Sequence, residues 1–261
     1  MKKLKFVIPI LVVVFCSLGF MLAPNNPYAM DAAHKFASFS ADYPFGTDQY
    51  GRCEFSRILY GGQVTLGIVV VGAAIVLLIG TVIGLFLGRM STGKSLLFNS
   101  LLDAVTAIPP LAYLIIFVGI WGNSIPTMLV ALTVSLILRM IKLSKTQTEI
   151  ELGKAYVLCA ISSGASKMRI LFVHVLPNMI RSLIHFLCLS CAEMIMSISA
   201  FSFIGLNLGD DVIDWGSMLQ ESRTVYSVRS SLLYFPILFI FICTLAFNLI
   251  ARQMEGGEEN A

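Results

Sequence analysis

Few side chains in this sequence can do chemistry, and those that can sit where charge is costly. Asp103 lies at the head of one apolar run, and Arg181, His185 and Glu193 lie within another. An ionisable group in hydrocarbon faces a protein interior or a water-filled path, and marks an ion or substrate route until shown otherwise. For Glu193 two readings stand open: contact with a cationic substrate or metal along such a path, or a hydrogen bond to a neighbouring helix. Arg181, one helical turn from His185, is near the end of its run and snorkels to the surface. Cys188-x-x-Cys191 in apolar surroundings reads as small packing residues, and the twelve Met as filler. His34, His174 and His185 have no metal-ligand spacing. Neither a G-x-x-x-x-G-K-[ST] phosphate loop nor a nucleophile, acid and base set is present. The chemistry implied is passage across a barrier, without covalent steps, cofactor or metal in this chain.

The elements that hold these residues follow from composition. With 57% hydrophobic and 13% charged residues in 261, and a mean hydropathy of +0.85, the chain is excluded from the water-soluble classes. A bilayer span takes about 20 mostly apolar residues. Six runs qualify, at 6–23, 64–88, 101–121, 126–142, 179–204 and 231–251. The first follows Lys2, Lys3 and Lys5 and ends without a small-x-small cleavage site, so it reads as a retained signal anchor. A cytoplasmic N-terminus places most Lys and Arg inside, among them Arg89, Lys94, Arg139, Lys142, Lys145 and Lys154, and only Lys35, Arg52, Arg57, Arg223 and Arg229 outside. Both termini are then cytoplasmic. The net charge of +3 is an insertion signal and does not imply nucleic acid.

Between and within these runs lie patterned stretches. Gly80, Gly84 and Gly88 share one helix face and invite close approach by another helix. Asp103 and the pair Pro109-Pro110 interrupt the third run, where a freed backbone must line protein or water. Ser144 and Gln147 stand in capping-box relation, so a helix is expected to begin there and run toward Ile161. Gly164 breaks it, and helix resumes from Ala165 to Val173 until Pro177, which opens the next helix. Upstream, Gly46-Thr47-Asp48 reads as a turn and helix cap. Phe55, Ile58 and Leu59 give the helix after it an apolar stripe for the membrane surface. Near the end, Asp210 to Asp214 form an acidic cluster that either receives a cationic cargo or stays solvated.

Four of these stretches, in order, resemble landmarks of the C-type permease subunit of bacterial ABC importers for dipeptides, oligopeptides and nickel. Phe45-Gly46-Thr47-Asp48, Gly51-Arg52 and Ser56-Arg57 follow the family's F-G-T-D-x-x-G-R-D and S-R block, with Cys53 replacing the last Asp. The run from Leu102 to Pro110 is similar to D-x-x-x-x-I-P. The stretch from Tyr156 to Pro177 resembles the family's EAA loop. Ala160 is its second Ala, Gly164 its Gly, followed by Ala165 and Ser166, and Leu176-Pro177 its closing pair, while Leu158, Cys159 and His174 replace Glu, Ala and Ile. Ser202-Phe203, Gly205-Leu206 and Trp215-Gly216 match the closing landmarks, with Asn207 in place of a Gly. After Leu249 the chain leaves the family pattern and ends in a frayed acidic tail.

The resemblance implies an all-α membrane protein of the type I ABC importer permease fold with six transmembrane helices. It divides into an anchor at 1–23, an external loop with an interfacial helix at 24–63, a permease core at 64–251 with a coupling loop at 143–178, and a tail at 252–261. It further implies a second homologous permease, two cytoplasmic ATPase subunits that bind ATP and Mg, and an external substrate-binding protein, all at the bacterial inner membrane. Cargo would be short peptides, nickel or a metal chelate. Two rivals stay open: a permease for another solute class, and an uncoupled permease-derived structural or sensory protein, the latter motivated by Leu158, Cys159 and His174.

Overall fold

The computed structural model describes residues 2–89, 100–209 and 211–255; Lys94, Asp210 and the tail at 256–261 lie outside them. Helix α1 spans Lys2–Leu18 and tightens into a 3-10 turn at Gly19–Leu22. A loop then leads to α2, Glu54–Leu87. A short α3, Ser100–Thr106, and α4, Pro110–Trp121, meet at a 74° bend. The rest is α5, Ile125–Leu152; α6, Ala155–Ser162; α7, Lys167–Phe203; α8, Trp215–Val225; and α9, Ser231–Glu255. Among the described residues the sole β feature is an isolated bridge between Thr47 and Cys53. Helices α2, α5, α7 and α9 are long and apolar enough to cross a membrane, the α3/α4 pair counts as a fifth span if taken as one, and Phe6–Leu22 is a shorter apolar helix. The fold is all-α, with α7 at the centre against α9, α8, α5 and α2, while α1 lies on α9 and α4 on α5.

Three expected boundaries move. No separate interfacial helix precedes the second span: α2 is continuous from Glu54, and Ile58 and Leu59 are buried against protein rather than laid on lipid. The Gly61-Gly62 pair does not break it, because the Trp215 ring packs on both glycines. Nor does a helix begin at Ser144. That residue lies within α5, where apolar periodicity carries the helix onward, and its hydroxyl donates to the Thr81 carbonyl of α2 at 3.1 Å. Pro177 does not open a new helix either. Helix α7 runs through it by widening into a π turn at Ile170–Val175, where the Leu176 N–H reaches back to the Leu171 carbonyl.

The seam between α2 and α5 is built on glycine. A Cβ on Gly80 would meet Met140, on Gly84 would meet Ser144, and on Gly88 would meet Thr148, so the expected glycine face lies against a ladder of α5 residues four apart. In lipid, helices gain little from hiding apolar surface, and such close backbone contact supplies the attraction instead. Gly67 on the same helix faces open space.

A charged bracket holds the end of the molecule that carries α8. The Asp48 carboxylate accepts from the backbone N–H groups of Tyr50 and Arg52 and from the side chains of Arg52 and Arg57. Both arginines also reach Glu221 of α8, Arg57 at 3.0 Å. Asp48 therefore anchors arginines and does not cap a helix; Cys53 is the residue before α2. Gly46 and Gly51 turn the loop in the left-handed region, and Gly51 lies on the Asp31 backbone. Thr47 donates to the His34 carbonyl, and Phe45 stacks on Phe235 with centroids 4.2 Å apart. Trp215, fully buried, donates its indole N–H to the Ile58 carbonyl at 2.9 Å, and Gly216 lies on the Ser199 backbone and the Ser202 side chain. Asp214 is buried rather than solvated: it caps α8 by accepting from Gly216 and Ser217, and burial pushes its carboxyl up.

Two predictions follow from these contacts. Gly84→Leu should destabilise the detergent-extracted chain by about 3 kcal/mol or prevent its folding, whereas Gly67→Leu should stay within about 0.5 kcal/mol, both read by thermal unfolding. Arg57→Met should cost about 3 kcal/mol because it leaves two carboxylates on one arginine; adding Glu221→Leu should recover part of the loss.

Candidate functional site

Two regions combine named candidates with exposure that the fold itself does not explain. The first is a polar row on α5. Arg139 and Lys142 are three residues apart, so they share a face. Arg139 donates to both Glu193 oxygens on α7, at 3.0 and 3.1 Å, and Lys142 pairs with Asp103 of α3 at 2.5 Å. Arg139 lies about 21 Å of helix below Ile125 and Glu193 about 15 Å below Phe203, at about 1.5 Å per residue. That is mid-membrane, yet Arg139 is 29% and Glu193 39% exposed, while Lys142 and Asp103 are more open. Charges so placed do not face hydrocarbon. The row faces water or another protein.

Sequence reasoning counted Arg139 and Lys142 as inside charges at the end of the run 126–142. The helix continues ten residues past that run, to Leu152, so both lie within it, with apolar Leu136 to Leu138, Met140, Ile141 and Leu143 around them. Of the two readings left open for Glu193, the structure shows a bond to a neighbouring helix, and the partner is a cation. The Pro109-Pro110 pair ends the α3 side of the bend: Pro109 is extended, Pro110 opens α4, and Tyr113 donates to the Val105 carbonyl at 2.9 Å to close the break. This breakpoint sets Asp103 over Lys142. Cys188 and Cys191 are buried in α7, and the described residues contain no group of three or more His, Cys, Asp or Glu arranged for a metal.

The second region is the elbow after α5. Helix α6 ends in a Schellman turn: the Ala165 N–H bonds to the Ala160 carbonyl at 3.0 Å, and the Gly164 N–H to that of Ile161 at 2.9 Å. Gly164 takes φ of +78°, with nothing near a would-be Cβ, so glycine is needed for conformation rather than room. Ser166 accepts from the Arg169 N–H and starts α7. The elbow is seated by Val157, which is buried, and by Tyr156, whose hydroxyl donates to Glu151 at 2.6 Å and lies 3.3 Å from the His174 carbonyl. Burial and the bond to Glu151 push the Tyr156 phenol up to about 12, so it remains a donor at neutral pH. Asn178 also donates to the His174 carbonyl, in the turn where Pro177 has no N–H to give. These contacts use the backbone of residue 174, which His provides as well as Ile. Leu158, Cys159, Ile161 and Met168 project outward, and nothing among the described residues covers them.

Phe45, Gly46, Thr47, Asp48, Gly51 and Arg52 belong to the bracket described above, with Ser202, Trp215 and Gly216. Gly205 closes α7 by a second Schellman turn, its N–H to the Ser202 carbonyl and that of Leu206 to Phe201, and Phe203 lies under Arg223. None of them reaches the polar row. Glu221, which completes the bracket, was missed; the signal available was its place on the short amphipathic helix after Trp215.

Comparison with known proteins fits this geometry. The glutathione transport system permease protein GsiD of Pectobacterium atrosepticum is 30% identical over 218 residues, covering 84% of this chain and 72% of that protein. The same protein from Shigella dysenteriae is 32% identical over the same shares. The dipeptide transport system permease protein DppC of Alkalihalophilus pseudofirmus is 27% identical over 248 residues, 95% of this chain and 81% of its own. Among solved structures, the MetNI methionine ABC transporter in an inward-facing conformation shares the fold with a TM-score of 0.58 at 16% identity, over 74% of this chain and 94% of that one. Residues 80–256 match the family described as binding-protein-dependent transport system inner membrane component. The chain belongs to that family of membrane transport permeases.

Proposed function

We propose that the chain is one permease subunit of an ATP-driven importer of short peptides, coupled through its elbow to a cytoplasmic ATPase. The observation that carries the coupling is the exposed apolar tip of α6. Leu158 and Ile161, beside Met168, stand on a turn fixed by the Schellman bonds, Tyr156 and Val157. A rigid apolar knob outside the spanning helices fits a groove on another protein. In this reading the elbow faces the cytoplasm, as do both termini. Two ATPase subunits bind ATP and Mg, a second homologous permease completes the path, and a substrate-binding protein delivers cargo from outside. Closure of the ATPases on ATP moves the elbow and thereby α5 and α7, the helices it joins.

The polar row supports peptide as cargo. Each carboxylate there is already neutralised by a cation, so a lone metal ion finds no free charge. A zwitterionic peptide brings both signs and can exchange partners with Arg139 and Glu193 without leaving charge unpaired. The relatives' printed substrates, glutathione and dipeptides, are of this class. Nickel or a metal chelate is the alternative cargo.

Gly164→Pro, which cannot adopt the positive φ, should abolish uptake and substrate-stimulated ATP hydrolysis while insertion and assembly persist; unchanged uptake would remove the elbow from the coupling role. Glu193→Gln should lower dipeptide uptake by about tenfold, equivalent to roughly 1.4 kcal/mol, in a complex that still assembles. Nickel uptake by the wild type in the same vesicles, with no dipeptide uptake, would favour the metal reading.

A further inference from the structure

Below the polar row, α5, α7 and α9 line an open cavity of about 370 Å³. Leu143, Phe186 and Leu189 form its apolar wall, and Arg181 and Gln147 its polar end. Neither Arg181 nor Gln147 has a hydrogen-bond or ion-pair partner among the described residues. One side is bounded by His185, whose Nδ1–H donates to the Ala251 carbonyl at 2.9 Å and ties α7 to α9. Arg181 lies about 33 Å of helix from Phe203, and Gln147 about 33 Å from Ile125. A hydrocarbon core is about 30 Å thick. Two helices thus independently place the polar end at the headgroup level of the face opposite α8, and the apolar wall runs from there into the acyl region.

We propose that this cavity is a binding site for an anionic phospholipid. The Arg181 guanidinium takes the phosphate, Gln147 offers its amide, and an acyl chain lies on Leu143, Phe186 and Leu189. A guanidinium alone would serve a free anion equally well. The adjoining apolar wall and the depth select an amphiphile delivered by the bilayer, and basic pockets between spanning helices at this level suit anionic headgroups. The proposal rests on the chain's being a membrane protein and not on its cargo or coupling.

The test uses the chain purified from membranes with whatever subunits accompany it, reconstituted in phosphatidylcholine nanodiscs with photoactivatable phosphatidylglycerol. Crosslinks should map to 143–147 and 181–189. Arg181→Gln should reduce their yield roughly fivefold, the factor for one basic charge at an anionic surface. Arg181→Lys should retain most of it, and Arg252→Gln, which alters a basic residue outside this cavity, should leave it unchanged. Equal labelling by a phosphatidylcholine probe, or a yield indifferent to Arg181→Gln, would overturn the proposal. Suppression of labelling by excess inorganic phosphate would also overturn it, by reassigning the cavity to a free anion.

Discussion

The seam where Gly80, Gly84 and Gly88 of α2 meet Met140, Ser144 and Thr148 of α5 fixes the helix on which both candidate regions depend. Lipid tails compete with side chains for apolar contact, so a membrane protein holds its helices by fit and by hydrogen bonds between them. Here the fit brings α5 near enough for Ser144 to reach the Thr81 carbonyl. Helix α5 then carries Arg139 and Lys142 along one face and launches the elbow from its end. Displacing α5 from α2 would move the row and the knob together.

At the opposite end, the family landmarks turn out to be a mechanical bracket. Asp48, Arg52, Arg57 and Glu221 join the loop before α2 to α8, and the Trp215 ring fills the space left by Gly61 and Gly62. Burial of Arg57 makes the bracket selective: it holds only while each carboxylate has a cation. The loop thus joins the ends of α2, α8 and α9.

Local sequence pattern disclosed what depends on local physics. Apolar runs announced the helices, the proline pair announced the α3/α4 bend, and Gly164 announced an elbow because only glycine takes that φ freely. Pairings across the fold were not legible. Arg139 finds Glu193 54 residues away, and Arg57 finds Glu221 164 residues away, and no helical period names a partner on another helix. The false start at Ser144 has the same origin. A Ser three residues before a Gln satisfies a capping pattern anywhere, and only the neighbouring helix shows that the hydroxyl is used sideways. Asp214 looked solvated among its acidic neighbours because its partners, Gly216 and Ser217, act through backbone N–H groups that sequence does not distinguish.

The π turn at Ile170–Val175 changes how α7 is to be read. A π turn holds one residue more than an α turn, so it offsets the azimuth of everything before it by one residue's arc, roughly 100°. Met168 and Arg169 therefore point a quarter-turn and more away from where a helical wheel drawn from 176–203 would put them. A residue-by-residue accessibility scan down α7 would keep a 3.6-residue rhythm from Phe203 to Leu176, skip a beat, and resume out of phase at the elbow.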